Sequence, residues 1–487
     1  MVKPAETVSG LQPYPAYKPS GVEWLGEVPA HWEVLQLGRI GTLSKGTGGS
    51  KADEAPVGVP CVRYGDLYTT HSRFVRSSRA FVSVARAADY TPLKHGDVLF
   101  AASGESLDEI GKSAVNLMLS EACCGGDIIV FRPKHRTNTL FMGYVTDCWS
   151  SAIQKATMGK GFTIVHIYAA QLKQLVLPVP PLPEQAAIAR YLDHTDRRIR
   201  RCIHAKEKLV RLLEEQRQAL VNEAVTGRVD VRTGQPYSAY KDAGVDWLGS
   251  VPRHWNVHRA RYVFRDIDKR SVDGKEQHLS MSQRLGLVPS HLVENRTLVS
   301  ESYAGGKLCR SGDLVLNRLK AHLGVFSVAK QSGVISPDYT VLRPDTDARP
   351  EYLEHVLRSP SCRGELRTRA KGIVEGFWRL YTDDFFEIRL PLPPRHEQIS
   401  IVAWISSFHA RSDRIIAHAH REIDLLREYR TRLIADIVSG KLDVREAAAR
   451  VMDEAEEPES TAGSAVEANI GYGLDRELTV AAQQTEL

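Results

Sequence analysis

Residues 17–34 read YKPSGVEWLGEVPAHWEV and residues 240–257 read YKDAGVDWLGSVPRHWNV, identical at 12 of 18 positions with an offset of 223. Agreement over that length is self-similarity, so the chain is built from two copies of one unit. Two further pairs mark the rest of the unit. LPVPPLPEQ (177–185) returns as LPLPPRHEQ (390–398), and TGRVDVR (226–232) as SGKLDVR (439–445), both with an offset of 213. The drop from 223 to 213 removes ten residues between the first and second matches, whereas the stretch from Glu184 to Arg232 keeps its length. One part of the unit varies and one part is constant.

The constant part reads as a long helix. Ile188, Leu192, Thr195, Ile199, Cys202, Leu209, Leu213 and Leu220, and in the second copy Ile401, Ile405, Phe408, Ile415, Leu426 and Leu433, follow the alternating 3/4 spacing of a heptad seam. Each helix starts after a Pro-Pro step, where Glu184 and Glu397 suit the positive helix N-terminus. Each ends at Gly227 or Gly440, which suit the left-handed position beyond the last turn. About 38 residues at 1.5 Å per residue gives roughly 57 Å. Each copy supplies a mate of equal length for the other's seam. With globular chain between them, the helices are expected to pair as an intramolecular antiparallel coiled coil.

The variable parts, about 33–176 and 256–389, mix short β-like runs (DVLFAA, DIIVFRP, DLVLNRL, DYTVLRP) with turn residues and one or two helical stretches, so α+β modules are expected. Gly96-Asp97 matches Gly312-Asp313, and Asp127–Pro133 matches Asp338–Pro344. The resulting division is an N-terminal extension (1–16), a first module (17–176), a first long-helix region (177–232), a second module (233–389), a second long-helix region (390–446) and a disordered acidic tail (447–487).

A 43% hydrophobic and 25% charged composition is that of a soluble globular protein, with no apolar run long enough to span a membrane. The N-terminus lacks an apolar stretch after its lysine, so a cytoplasmic location is expected. Seven cysteines without CxxC spacing read as reduced thiols. The net charge of +5 conceals an asymmetry: the tail from residue 447 carries −7 and residues 1–446 carry +12. A basic body favours a polyanionic partner such as nucleic acid.

Catalytic signatures are missing. Ile110-Gly111-Lys112-Ser113 resembles the end of a phosphate-binding loop, but Ser106 stands where that loop requires glycine. The second copy has Leu323-Gly324-Val325-Phe326 at this place, keeping the glycine and losing the lysine, so a turn glycine explains both. There is no NPP[YF], GxGxxG, HExxH or GxSxG motif. His166, His194, His204, His409, His418 and His420 are scattered. Neither a catalytic nor a metal site is expected.

Candidate nucleic-acid contacts are basic residues in or beside Gly-rich or polar loops: Lys45, Lys51, Arg63, Arg73, Arg76 and Lys160 in the first module, and Lys269, Arg270, Arg284, Lys307, Arg318, Lys320 and Lys371 in the second. Tyr64 joins Arg63 as an aromatic neighbour able to touch sugar or base. Trp24, Trp32, Trp247 and Trp255 recur in both copies, so they cannot discriminate two targets, and packing is the expected role.

The order of a WLGEVPAHW-like opening, a variable domain, a PLPPxxEQ entry into a helix and a TGRVDVR-like close resembles the specificity subunits of type I restriction-modification systems, over residues 17–445. The resemblance implies two pseudo-symmetric target-recognition domains, each reading one half of a split double-stranded DNA site. It also implies that the paired helices set the spacer and dock two adenine-methylating modification subunits, and through them restriction subunits. Glu184, Gln185, Ile188, Leu192, Ile199, Leu213, Leu220, Glu397, Gln398, Ile401, Ile405, Leu426 and Leu433 then belong to the coiled-coil and subunit-docking region. The chain itself would be non-catalytic, with S-adenosylmethionine, ATP and magnesium bound by partner subunits. Alternatives are a specificity subunit of a related two-component system, a coiled-coil scaffold that binds no DNA, and a fused enzyme carrying its own nuclease.

Overall fold

The computed structural model describes residues 10–49, 53–134, 137–161, 164–282, 285–293, 303–344, 348–372 and 378–456. Contacts divide the chain into two units: the first takes the described residues up to Ala205 together with those from Glu422 onward, and the second takes Lys206–Arg421. The division cuts each long helix in two instead of separating helices from modules.

In the first unit the strands are β1 (Gly41–Lys45), β2 (Val59–Val62), β3 (Phe74–Val75), β4 (Val98–Ala101), β5 (Ser113–Asn116), β6 (Ala122–Cys124) and β7 (Ile128–Pro133). The main sheet has the order β1-β7-β4-β5-β3, antiparallel except for β5 with β3. A second sheet pairs β2 parallel to β6. Every residue of β4 is buried because both faces of the strand are covered. Val98 and Phe100 join the core beneath helices α1 (Thr139–Thr146) and α2 (Trp149–Met158), while Leu99 and Ala101 join the core shared with the second sheet. The long helix α3 (Leu182–Thr226) follows.

The second unit repeats this frame in smaller form. Strands β8 (Phe264–Asp266), β9 (Leu314–Asn317), β10 (Phe326–Val328) and β11 (Tyr339–Pro344) make an antiparallel sheet of order β8-β11-β9-β10. Leu314 and Leu316 face one core and Val315 the other, as on β4. Helices α4 (Pro350–Arg358), α5 (Pro360–Arg369) and α6 (Arg395–Val438) follow, and α7 (Arg445–Glu456) ends the described chain. The matched Gly-Asp turns do the same work in both units. Buried Asp97 takes a bidentate pair from Arg132 at 2.8 and 2.7 Å, and buried Asp313 takes one from Arg343 at 2.7 and 2.8 Å.

Helices α3 and α6 run for 45 and 44 residues, longer than the expected 38, because they start at Leu182 and Arg395, ahead of the seam that opens at Ile188 and Ile401, and Pro183 is tolerated in the first turn. Within the first unit Ile188 and Leu192 share a core with Leu433, Ile434 and Ile437, and Asp196 pairs with Arg430, so the segments run antiparallel. Within the second unit Arg217 pairs with Asp413 at 2.6 Å and Val221 and Val225 share a core with Ile401 and Ile405, again antiparallel. Ile199 and Leu213 are buried, and Leu220 and Leu426 half-buried. In mid-helix the expected seam is corrected. Cys202 and Ile415 are exposed, and the buried positions are Val210, Ser412 and Ala419. Ser412 and Ala419 fill the seven-residue steps between Ile405 and Leu426, and Val210 stands one residue after the expected Leu209.

Two boundaries also change. Leu11 and Tyr14 are buried in the first unit's core, so residues 10–16 belong to the module and not to an extension. Residues 447–456, expected in the tail, lie in α7, whose Ala-rich REAAARVMDEAE has high helix propensity and whose Ala448 is fully buried beside Val444. The remainder of the tail, 457–487, lies outside the described residues.

His355 on α4 and His409 on α6 face each other in the second unit, ring centroids 6.0 Å apart. Burial lowers both from the ordinary 6.5 to about 4, with Arg358 and Arg217 acting in the same direction. Between those values the unfolded chain binds more protons than the folded one, so stability is complete above pH 6.5 and falls on acidification toward pH 4. Melting curves at pH 7.5 and pH 5 should show this loss in the wild type, and a smaller one in His355→Phe; equal pH slopes would refute the pairing's role.

Candidate nucleic-acid interface

The recurring motifs converge on one arrangement in each unit. Glu184, in the first turn of α3, is buried, and its Oε1 accepts from Tyr14 OH at 2.5 Å and Trp32 Nε1 at 3.0 Å, with His31 Nε2 2.8 Å from Oε2. Glu397, in the first turn of α6, accepts from Tyr237 OH at 3.2 Å and Trp255 Nε1 at 2.9 Å, with His254 Nε2 at 2.7 Å. Burial, then the bond to the carboxylate, raises the Tyr14 hydroxyl pKa far above its ordinary 10. Gln185 holds the first turn of α1 by accepting from Asn138 N at 2.8 Å, and Gln398 does the same for α4 through Arg349 N at 2.8 Å. The Glu-Gln pairs therefore clamp module to helix within each unit, and their buried side chains are not a docking surface.

Trp32 and Trp255 are fully buried, as expected for packing; Trp247 is partly buried against the second core and Trp24 is 36% exposed. The helix-ending glycines adopt left-handed backbone, φ +75° at Gly227 and +81° at Gly440. The N–H groups of Arg228 and Lys441 reach back to Glu223 O and Asp436 O, both at 2.9 Å, which completes the helix-ending turn. Gly111 (φ +68°) and Gly324 (φ +76°) both lie in turns just before β5 and β10. Fully buried Lys155 on α2 donates to Gly111 O at 2.8 Å and Thr146 O at 3.0 Å, and burial pushes its ammonium down to about 8. Lys112 is engaged 3.2 Å from Asp147. Among the described residues, no three His, Cys, Asp or Glu side chains are placed to hold a metal.

In the first module, Lys45 is exposed at the end of β1, next to Gly46, which packs on Gly125. Arg63 and Tyr64 follow β2 and line an open pocket of about 480 Å³ with Gly49, Asp66, Gly125 and Gly126. Lys45 thus ends an edge strand of the main sheet, whereas Arg63 and Tyr64 follow a strand of the second sheet, and Arg63 also pairs with Glu54 at 3.4 Å. Arg76 is exposed beside the Phe74 ring, and Lys160 is exposed after α2. Arg73 is a correction: it is largely buried, stacked over Tyr144 and 3.6 Å from Asp147. Lys51 lies outside the described residues.

In the second module, Lys269 lines a pocket of about 280 Å³ together with Arg310 and Arg343. Arg270 is exposed and pairs with Asp268 at 3.1 Å. Lys307 is a correction, being buried and paired with the same Asp268 at 3.4 Å. Arg318, exposed Lys320 and Lys371 fall around one strand end, where Arg318 O accepts from Leu380 N and Lys371 bridges Arg379. Arg284 lies outside the described residues. Sequence reasoning missed exposed Tyr168 and Tyr381, and the signal available was their spacing of 213, the offset of the helix motifs.

Residues 29–209 match the family model described as the type I restriction modification DNA specificity domain. The chain is 22% identical over 442 residues to the type I restriction enzyme EcoKI specificity subunit of Escherichia coli K12, covering 86% of this chain and 90% of the relative. It is 23% identical over 328 residues to the EcoBI specificity subunit of Escherichia coli, covering 63% and 67%. Its fold is similar to a chain solved in work titled for complex assembly and conformational transition of the type I R-M system (TM-score 0.65, 16% identity, 85% and 99% covered). It is also similar to the HsdS subunit from Thermoanaerobacter tengcongensis (TM-score 0.50, 18% identity, 85% and 98% covered).

Proposed function

From a chain that belongs to the family of type I restriction-modification specificity subunits, we propose that each module reads one half of a bipartite, asymmetric double-stranded DNA site. The paired helices set the gap between the halves and dock two modification subunits, through which restriction subunits assemble. The chain performs no bond-making step. S-adenosylmethionine, ATP and magnesium belong on the partner subunits, and the complex works in the cytoplasm; among the described residues no helix is long and apolar enough to cross a membrane.

The observation that carries this reading is a conserved frame with dissimilar surfaces. Asp97–Arg132 and Asp313–Arg343 hold equivalent strands, and Glu184 and Glu397 clamp equivalent helices, whereas the segments after the equivalent edge strands β1 and β8, Gly46-Thr47-Gly48-Gly49 and Ile267-Asp268-Lys269-Arg270, share no residue. One frame presenting two unlike edges suits a target whose two halves differ, and the basic side chains on each edge suit base edges and phosphates.

Methylome sequencing of a host expressing this chain with the modification subunit of the same system tests the proposal. The expected result is a new methylated-adenine motif in two unlike parts around a fixed gap, absent without this chain. A complex that assembles and yields no motif would instead favour the scaffold reading.

A further inference from the structure

We propose that Lys160, His166 and Tyr168 in the first module, and Lys371, Arg379 and Tyr381 in the second, form one recurring contact to the DNA sugar-phosphate backbone; this rests on the specificity-subunit reading. In the first module Lys160 N donates to His166 O at 2.9 Å and His166 N to Lys160 O at 2.8 Å. In the second, Lys371 N donates to Arg379 O at 2.9 Å and Arg379 N to Lys371 O at 2.8 Å. Residues that exchange both bonds place their side chains on the same face of the ladder. A residue two further along an extended segment lies on that face too. Lys160, His166 and Tyr168 therefore share a face, and so do Lys371, Arg379 and Tyr381.

Burial agrees. Val165 and Ile167 point inward, while Ile164, His166 and Tyr168 are exposed; Leu380 is fully buried between half-exposed Arg379 and exposed Tyr381. Each ladder is anchored at the same place, through Ile167 N to Ala102 O at 2.9 Å beyond β4, and Leu380 N to Arg318 O at 3.0 Å beyond β9. The loop that each ladder closes differs by two residues between the modules, yet the outward set persists as cation, imidazole or guanidinium, then phenol.

An element that persists in two modules reading different bases must meet something the two half-sites share, and that is the phosphodiester backbone. Lysine, arginine and tyrosine hydroxyl donors match phosphate oxygens. Lys371 is held by Asp384 at 2.8 Å and Arg379 by Asp338 at 2.5 Å, and His166 Nδ1 lies 3.0 Å from Ser103 Oγ. Exposed ion pairs of this kind contribute little and exchange readily for a phosphate. A protein partner is better matched by exposed apolar residues on the long helices, such as Leu212 and Leu425.

The test uses the chain assembled with its modification subunits and a duplex carrying the methylated motif, with affinity measured between 50 and 200 mM salt. Lys160→Ala/Lys371→Ala should make log affinity against log salt shallower by about 1.8, from about 0.9 per phosphate, and weaken binding on the order of 10- to 100-fold. Tyr168→Phe/Tyr381→Phe should cost a few-fold, Lys160→Arg/Lys371→Arg should keep the slope, and every variant should leave the motif unchanged letter by letter. A relaxed letter at one position would overturn the proposal in favour of base reading. Lost subunit assembly, with normal duplex affinity in the assembled fraction, would overturn it in favour of protein docking. A double-alanine complex that binds like the wild type sinks the triplet alone, whereas a wild-type complex without duplex affinity sinks the specificity-subunit reading along with it.

Discussion

Glu184→Ala is expected to destabilise the first unit by about 2–6 kcal/mol, because the removal strands two buried donors at roughly 1–3 kcal/mol apiece, and Glu397→Ala the second by less, because Tyr237 is only partly buried. The donors are the Tyr14 hydroxyl with the Trp32 indole, and the Tyr237 hydroxyl with the Trp255 indole. In units of this size the melting temperature should fall by about 10 °C. Glu184→Gln keeps an acceptor oxygen at the site and should lose less than half as much. A Tyr14→Phe/Glu184→Ala double variant should then be no less stable than Glu184→Ala alone, since the orphaned hydroxyl has gone. Additive losses in that cycle would show that the carboxylate acts through something other than these bonds.

The second large effect is expected at the helix-ending glycines. A Cβ at Gly440 would sit 2.3 Å from Pro29 Cδ and 3.0 Å from Trp32 Cζ3; at Gly227 it would sit 2.3 Å from Pro252 Cδ and 3.0 Å from Trp255 Cζ3. The left-handed backbone adds roughly 1–2 kcal/mol for any residue with a Cβ. Gly440→Ala should therefore cost about 3 kcal/mol or more, as clash and strain combine. Gly26 supplies the control: its φ is +66° and a Cβ there would meet nothing within 4 Å, so Gly26→Ala should show the backbone cost alone. Equal losses in denaturant titrations of the two variants would mean that the tryptophan and proline yield freely.

The long helices, their caps and the turn glycines were legible because the same residues occur twice, and a repeated Gly227 and Gly440 leaves little choice of role. The seam failed in mid-helix, where Ser412 and Ala419 carry too little hydrophobic signal to outweigh Ile415. The sheets were legible only as runs, since β3 has two residues and its pairing with β5 depends on chain far away in sequence. Arg73 and Lys307 looked like free cations because nothing local shows that Asp147 and Asp268 come to meet them. Tyr14 and Tyr237 were within reach: QPY at 12–14 and 235–237 extends the first repeat at the same offset of 223.

That extension has a topological consequence. In the second unit Asp230 N donates to Gln235 O at 2.8 Å and Tyr240 OH to Arg228 O at 3.1 Å, across a turn in which only Thr233 and Gly234 separate Arg232 from Gln235. In the first unit Asp443 N donates to Gln12 O at 2.8 Å and Tyr17 OH to Lys441 O at 3.2 Å, the same knot tied between segments from opposite ends of the polypeptide. One set of bonds thus serves both units, closed by a two-residue turn in the second and by two segments far apart in sequence in the first.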